Sequence, residues 1–381
     1  MQTNRESNVT APLPAPANVG MHVNDVDTPA LLLDLDAFEC NVKRLPETLA
    51  GRNLRLRPHA KSHKCPQIAL RQIAQGAVGV CCQKVSEAAA LVQGGVRDVL
   101  VANEVVGARK LERLAALAHE ARIGVCVDDA GNVRDLASAA RAAGSKPDVY
   151  VEVDVGARRC GVEPGQPALA LARAIADAGL HFAGIHAYQG AAQHLRTPAE
   201  RRAAIGKAVD QVRDTAALMR EAGLAPGIIT GAGTGTYLLE AGSGIYNELQ
   251  PGSYIFMDAD YGRNLGDDGQ PVHEFAQSLF ILATVMSRPV AARAVVDVGL
   301  KAHSVDSGMP GVHGVAGARY VRASDEHGVI ELDGASLRLG EKVRLVPGHC
   351  DPTVNLYDWI VCFRGERVED VWPISARGAF Y

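Results

Sequence analysis

Lys61 stands between two histidines in the stretch HAKSHK, running from His59 to Lys64. A lysine amine can attack a carbonyl and hold it as a Schiff base. Far along the chain, TGAGTGT (Thr230–Thr236) interleaves glycines with hydroxyls, and LQPGSY (Leu249–Tyr254) adds Gly252 and Ser253. A phosphate needs several N–H donors at close range, and glycines leave that approach open. Gly233, Thr234, Gly252 and Ser253 are therefore candidates for a phosphate cradle. No GK[ST] follows, so this is not a Walker loop, nor is it a dinucleotide fingerprint. DVGARRCG (Asp154–Gly161) contributes Arg158 and Arg159, and HAYQG (186–190) contributes His186, Tyr188 and Gln189. A phosphate cradle facing a Schiff-base lysine points to pyridoxal phosphate.

A second constellation lies near the C-terminus, in HCDP (His349–Pro352). On an extended strand, residues i and i+2 face one side. His349 and Asp351 are then expected to project together, with Cys350 pointing away, and Pro352 favours extended geometry at Asp351. An imidazole and a carboxylate, completed by waters, suit a divalent ion such as Mn²⁺ or Mg²⁺.

Each of these residues alone has a plain structural explanation. Lys61 is then a solvated loop lysine, and the glycines a turn. Arg158 and Arg159 cap a helix or pair with acids, Tyr188 is a core ring, and His349 is a surface histidine beside an acid. Their coincidence at one end of one fold argues otherwise.

That fold is read from rhythm. Eight short apolar runs recur: 54–58, 78–82, 98–102, 123–127, 148–153, 182–186, 227–230 and 254–258. Helical patterns separate most of them, several ending in glycine (Gly76, Gly144, Gly179, Gly223). Eight βα repeats predict a (β/α)8 TIM barrel, with an open doubly wound sheet as the competitor. The polar residues above follow the predicted strands, at the end where such barrels carry chemistry. After residue 270 the runs read as strands without a good helix. The expected layout is a loose tail (1–20), a barrel (21–270) and an all-β domain (271–381). A strand and helix within 28–50 belong either with the barrel or with that β domain.

Composition removes other classes. The 381 residues are 47% hydrophobic and 22% charged, the mix of a globular protein. A net charge of −4 and 5% aromatics give no reason to expect nucleic acid or an anionic membrane as partner. No apolar run is long enough for a transmembrane helix, and the polar, Pro-rich start lacks the core of a signal peptide. A cytosolic location with reduced cysteines is therefore expected, and no CxxC pair occurs among the eight.

The motifs, in their order, resemble the fold-type III pyridoxal-phosphate enzymes, the alanine-racemase-like barrels. The likeness is nearest to the D-threonine aldolase and D-serine dehydratase branch. It rests on TPALLLDLDAFECNV (28–42), RPHAKSHK (57–64), VEVDVGARRCGV (151–162), HAYQG (186–190), GAGTGT (231–236), ELQPGSYIFMD (248–258) and PGHCDPTVNLYD (347–358). The resemblance implies that Lys61 forms the internal aldimine, that Arg159 contacts the ring O3′ and that Tyr188 lies beside the ring. Gly233, Thr234, Gly252, Ser253 and Tyr254 would hold the phosphate. His59, His63 and Gln189 are candidates for proton handling or for the substrate carboxylate.

Departures from the racemases also matter. Their arginine opposite the pyridine nitrogen is replaced here by Gln250, and no second, tyrosine base is found. The H-x-D form at 349–351 is that of the branch's aldolases, whereas its D-serine dehydratases carry H-x-C and bind zinc. The implied activity is retro-aldol cleavage of D-threonine and other D-β-hydroxy-α-amino acids to glycine and an aldehyde, dependent on pyridoxal phosphate and a divalent metal. A dehydratase acting on D-serine or D-threo-3-hydroxyaspartate is the alternative. A non-catalytic pyridoxal-phosphate carrier would lack the β domain and its metal pair, and a phosphate-binding barrel of another kind would carry no chromophore. The resemblance also implies a homodimer.

Overall fold

The computed structural model describes residues 14–381. The first strand and helix are β1 (Ala30–Asp34) and α1 (Leu35–Thr48), the helix opened by the Asp34 carboxylate, which accepts from the Asp36 and Ala37 N–H groups. Eight parallel strands follow: β2 (Arg55–Leu56), β3 (Val80–Cys82), β4 (Asp98–Glu104), β5 (Arg122–Val127), β6 (Asp148–Glu152), β7 (His181–His186), β8 (Ile228–Gly231) and β9 (Glu248–Leu249). Between them run α2 (Pro66–Ala74), α3 (Val85–Gln93), α4 (Ala108–Leu117), α5 (Ala130–Ala143), α6 (Gln166–Asp177), α7 (Pro198–Glu221) and the short α8 (Tyr237–Gly242).

The strands pair in the order β2-β9-β8-β7-β6-β5-β4-β3. Val78 N donates to Leu56 O at 2.8 Å and Cys81 N to Pro58 O at 2.9 Å, which brings β3 back to β2 and closes the barrel. Inside it pack Cys81, Leu100, Cys126, Tyr150 and Ala183. The larger core lies between strands and helices, where each helix buries its apolar stripe.

One expected strand is absent from the barrel. Residues 254–258 are buried but irregular, with a 3-10 turn at Ser253–Ile255 and Met257 at φ 54°. The eighth strand is instead β9, paired with both β8 and β2, and it ends just before Pro251, which has no N–H to donate. An apolar run reports burial, not period, and here the burial belongs to a turn.

The remaining strands build a second sheet: β10 (Leu279–Val290), β11 (Arg293–Val296), β12 (Gly311–Val312), β13 (Ala318–Ala323), β14 (Gly328–Leu332), β15 (Lys342–Val346), β16 (Trp359–Arg364) and β17 (Arg367–Pro373). Strand β1 sits at its centre, antiparallel to β10 and parallel to β16. The chain therefore starts in the second sheet, passes through the barrel and returns. One helix, α9 (Cys350–Val354), interrupts the stretch read as all strand.

The expected loose tail is also corrected in part. Residues 1–13 lie outside the described residues, but Pro16 O accepts from Asp27 N and Gly20 N donates to Val368 O. Ala17 is buried against β1 and β16 in a small apolar cluster. No helix among the described residues is long and apolar enough to cross a membrane.

Candidate active site

The C-terminal ends of the barrel strands surround a cavity. Its wall includes Lys61, His59, Arg159, Tyr188, Gly233, Thr234, Gly252 and Ser253, drawn together from segments nearly 200 residues apart. Lys61 sits in a 3-10 turn (Ala60–Ser62) directly after β2. His59 caps that turn: its Nδ1 accepts from Lys61 N at 3.3 Å, and its Nε2 lies 2.8 Å from Gln83 Nε2. Burial, and then the Lys61 charge, push the His59 imidazole well below its usual range, so it stands neutral. The Arg159 guanidinium lies 5.9 Å from the centre of the Tyr188 ring.

The glycines bring backbone close, as the cradle requires. A methyl group at Gly233 would stand 2.5 Å from Gln193 Oε1, and one at Gly252 would stand 3.0 Å from His59 O. Behind this loop, Gln193 Oε1 accepts from Gly235 N at 2.9 Å, and Gln193 Nε2 donates to Thr236 Oγ1 at 2.8 Å. Thr236 in turn donates to Glu240. Hydroxyls, glycine backbone, a lysine and an arginine around one polar cavity fit a phosphorylated aldehyde.

The HCD segment meets the cavity's lining at Lys61 and Ser253, by a different geometry from the one the sequence predicts. His349 is extended (φ −143°, ψ 123°), but Cys350, Asp351 and Pro352 form the first turn of α9. Proline is well tolerated in a first helical turn, and an acid there is favoured by the helix dipole. The strand argument for co-projection therefore fails, although both side chains still serve one region. Asp351 Oδ2 stands 3.0 Å from Lys61 Nζ. Burial alone would raise the Asp351 carboxyl, but Lys61 and His349 hold it down to about 2. The Asp351 charge likewise raises the Lys61 ammonium above its usual range. His349 Nδ1 lies 2.8 Å from Asp306 Oδ2, and Ser304 Oγ donates to the other Asp306 oxygen at 2.6 Å. That leaves His349 Nε2 as the free ligand atom, beside a carboxylate that is always ionised. This donor pair fits a divalent cation with water or substrate filling its other positions.

Three candidates are placed elsewhere. Tyr254 turns its hydroxyl towards Gln72 Nε2, 3.1 Å away, and only its backbone N meets the cradle, donating to Thr234 Oγ1. His63 is fully buried, with Nδ1 accepting from Cys65 N. Gln189 is spent on loop structure: Nε2 donates to Val155 O and Oε1 accepts from Ala191 N. Of the proton-handling candidates, only His59 faces the cavity.

The structure adds residues the motifs did not assign. Gln83 and Tyr261 line the cavity beside His186 and Gln250, which the motifs had already singled out, and Asp306 backs His349. Glu152 lies in contact with His186, a charged residue inside the apolar run DVYVEV that could have been noticed. Cys126 joins these two within 4.8 Å. The Glu152 and His186 atoms stand in direct contact, closer than two ligands of one ion, without the alignment of a hydrogen bond.

Comparison with known proteins adds the lineage. Residues 33–260 match the family model "Alanine racemase, N-terminal domain", and residues 278–363 match "Putative serine dehydratase domain". A D-threonine aldolase from an Arthrobacter species is 49% identical over 369 residues, 96% of this chain and 97% of that protein. A 3-hydroxy-D-aspartate aldolase from Paracoccus denitrificans (strain Pd 1222) is 48% identical over 371 residues, 96% of each chain. The chain belongs to this alanine-racemase-like aldolase family. A solved member, D-threonine aldolase from Filomicrobium marinum, superposes with a TM-score of 0.93 at 52% identity, over 96% of this chain and all of that one. An aldolase-family frame thus carries the cavity, with the lysine supplied by the barrel and the HCD pair by the segment that follows β15.

Proposed function

We propose that the protein is an aldolase dependent on pyridoxal phosphate and a divalent metal. It cleaves D-threonine and related D-β-hydroxy-α-amino acids to glycine and an aldehyde. The observation that carries this reading is the Lys61–Asp351 contact, which brings the amine and a metal-ligand carboxylate to one cavity. The two relatives near half identity, both named as aldolases, support it over a dehydratase.

In this reading Lys61 holds the cofactor's aldehyde carbon. Gly233, Thr234, Gly252 and Ser253 receive its phosphate, and Arg159 and Tyr188 flank its ring. His349 and Asp351 hold Mn²⁺ or Mg²⁺. When bound, the ring accepts electrons from the substrate's α carbon and the cation acidifies the β-hydroxyl. The chain's own contribution is placement. Asp306 fixes the His349 ring with Nε2 outward. Against burial, the Lys61 ammonium and His349 hold the Asp351 carboxyl below its usual range. His59, held beside Gln83, stays neutral next to Lys61, so the two groups do not repel as like charges. We also infer a homodimer, to be checked by sedimentation.

The test is product identification with pyridoxal phosphate and Mn²⁺ present. D-threonine is expected to give glycine and acetaldehyde, and 3-hydroxy-D-aspartate to give glycine and glyoxylate, both lost on adding EDTA. Release of ammonia and a 2-oxo acid would replace the aldolase by a dehydratase.

A further inference from the structure

The second lysine of HAKSHK has no part in the reaction above, and it does not line the cavity. Lys64 stands at φ 52°, in the left-handed region where glycine is usual and any other side chain costs energy. It is the pivot of its segment. Before it lies the 3-10 turn that carries Lys61, closed by Lys64 N donating to Ala60 O at 2.7 Å. After it Cys65 is extended (φ −123°) and α2 begins at Pro66. Helix α2 is fixed by its buried face, with Ile68 and Ala69 fully enclosed. A change of φ at Lys64 would therefore move the turn, and Lys61 with it.

Contacts on both sides hold this conformation. Lys64 Nζ lies 2.7 Å from Glu87 Oε1, an ion pair whose side chains are 10% and 3% exposed. The other Glu87 oxygen accepts from Gln83 N at 2.8 Å and Lys84 N at 2.9 Å, which seats the pair on the first turn of α3. Lys64 O accepts from Ala376 N at 3.0 Å, and the Phe380 ring centre stands 5.6 Å from the ammonium. The segment that supplies Ala376 is itself tied down. Gly378 N donates to Asn355 Oδ1, directly after α9, and Tyr381 exchanges two hydrogen bonds with Ser86 of α3. The Lys61 turn is thus fastened to α3 and, through residues 376–378, to the helix that carries Asp351. Every one of these hydrogen bonds runs from a backbone N–H to an oxygen, so their directions are fixed.

A strained backbone persists only where its surroundings over-determine it. Glycine at this pivot would be unstrained but free to move, whereas a lysine pinned at both carbonyl and ammonium leaves the turn one conformation. We propose that Lys64 is a positioning residue: its buried ion pair with Glu87 holds the left-handed backbone that sets the Lys61 turn against Asp351. This rests on the reading that Lys61 carries the cofactor.

The experiment follows imine formation by absorbance when pyridoxal phosphate is added to cofactor-free protein. Circular dichroism checks the fold, and Mn²⁺ affinity is read from the free-ion EPR signal. Glu87→Gln keeps an oxygen for Gln83 N and Lys84 N but removes the charge facing Lys64. It is expected to slow imine formation and kcat by up to about 100-fold, with Mn²⁺ affinity unchanged, a split that general loosening of the fold would not produce. Adding Lys64→Gly to Glu87→Gln is expected to recover most of the loss, because glycine takes this φ without strain. Unchanged imine formation in Glu87→Gln, or no recovery with glycine, overturns the proposal. A second measurement needs no variant. In reductive methylation of the unaltered, cofactor-free protein, mapped by mass spectrometry, Lys64 is expected to react far more slowly than the exposed Lys110. Equal rates overturn the proposal even if a variant folds poorly. Failure of the unaltered protein to form any imine would remove the cofactor reading instead, while protection of Lys64 still decides whether the ion pair locks it.

Discussion

Asp306 decides how His349 can be used. Its carboxylate takes Nδ1, and Ser304 holds that carboxylate in turn. Asp306→Asn is expected to weaken Mn²⁺ binding by about 10- to 100-fold, read from the free-ion EPR signal during titration, with turnover restored by excess metal. Unchanged affinity would show that the ring needs no such anchor. Nothing in the loop around residue 306 has a period or motif, so this residue was invisible in the sequence. Arg159 and Tyr188 were legible because they sit beside glycine-marked strand ends, and Lys61 because it follows a strand end between two histidines. His63, Gln189 and Tyr254 looked equivalent to them, but proximity along a chain does not say which way a side chain turns.

Glu240 carries a prediction at the scale of the loop and helix behind the cradle. It lies in α8, fully enclosed, with one oxygen bonded to Thr236 and the other without a partner. Burial pushes its carboxyl up to about 8. The folded state therefore holds a proton that the unfolded chain releases near its ordinary value of 4.5. Stability from this group is full below that value and is lost as pH rises towards 8. Each unit is worth about 1.4 kcal/mol, so the loss amounts to a few kcal/mol. Glu240→Gln is expected to flatten the slope of urea-unfolding free energy between pH 5 and 8; an unchanged slope would place the titration elsewhere. At this scale the sequence agrees with the structure where a helical pattern fills the gap between two strand runs, as in α7, which Thr197 and Glu200 open with a capping box. It was misread at 254–258 and at 350–354, because a buried turn looks like a strand and Asp-Pro serves a helix start as well as an extended segment.

The whole molecule has the barrel and the second sheet that the βα rhythm and the later strand runs imply, but the sheet's centre comes from its opposite end in sequence. Leu31, Leu32 and Leu33 of β1 are completely buried between β10 and β16. Burial of three leucines is worth roughly 6 kcal/mol. During synthesis these residues emerge long before their neighbours. From residue 34 to residue 359 the ribosome needs roughly 15 to 65 s at about 5–20 residues per second. Until β10 is made this apolar strand has two open edges, and from then until β16 it keeps one, although the barrel can close once β9 is complete. A fragment ending at residue 270 is expected to aggregate for this reason, and sedimentation of the fragment beside the full chain would show it. The order of manufacture thus runs against the order of assembly, and the last strands made are the ones that shelter the first.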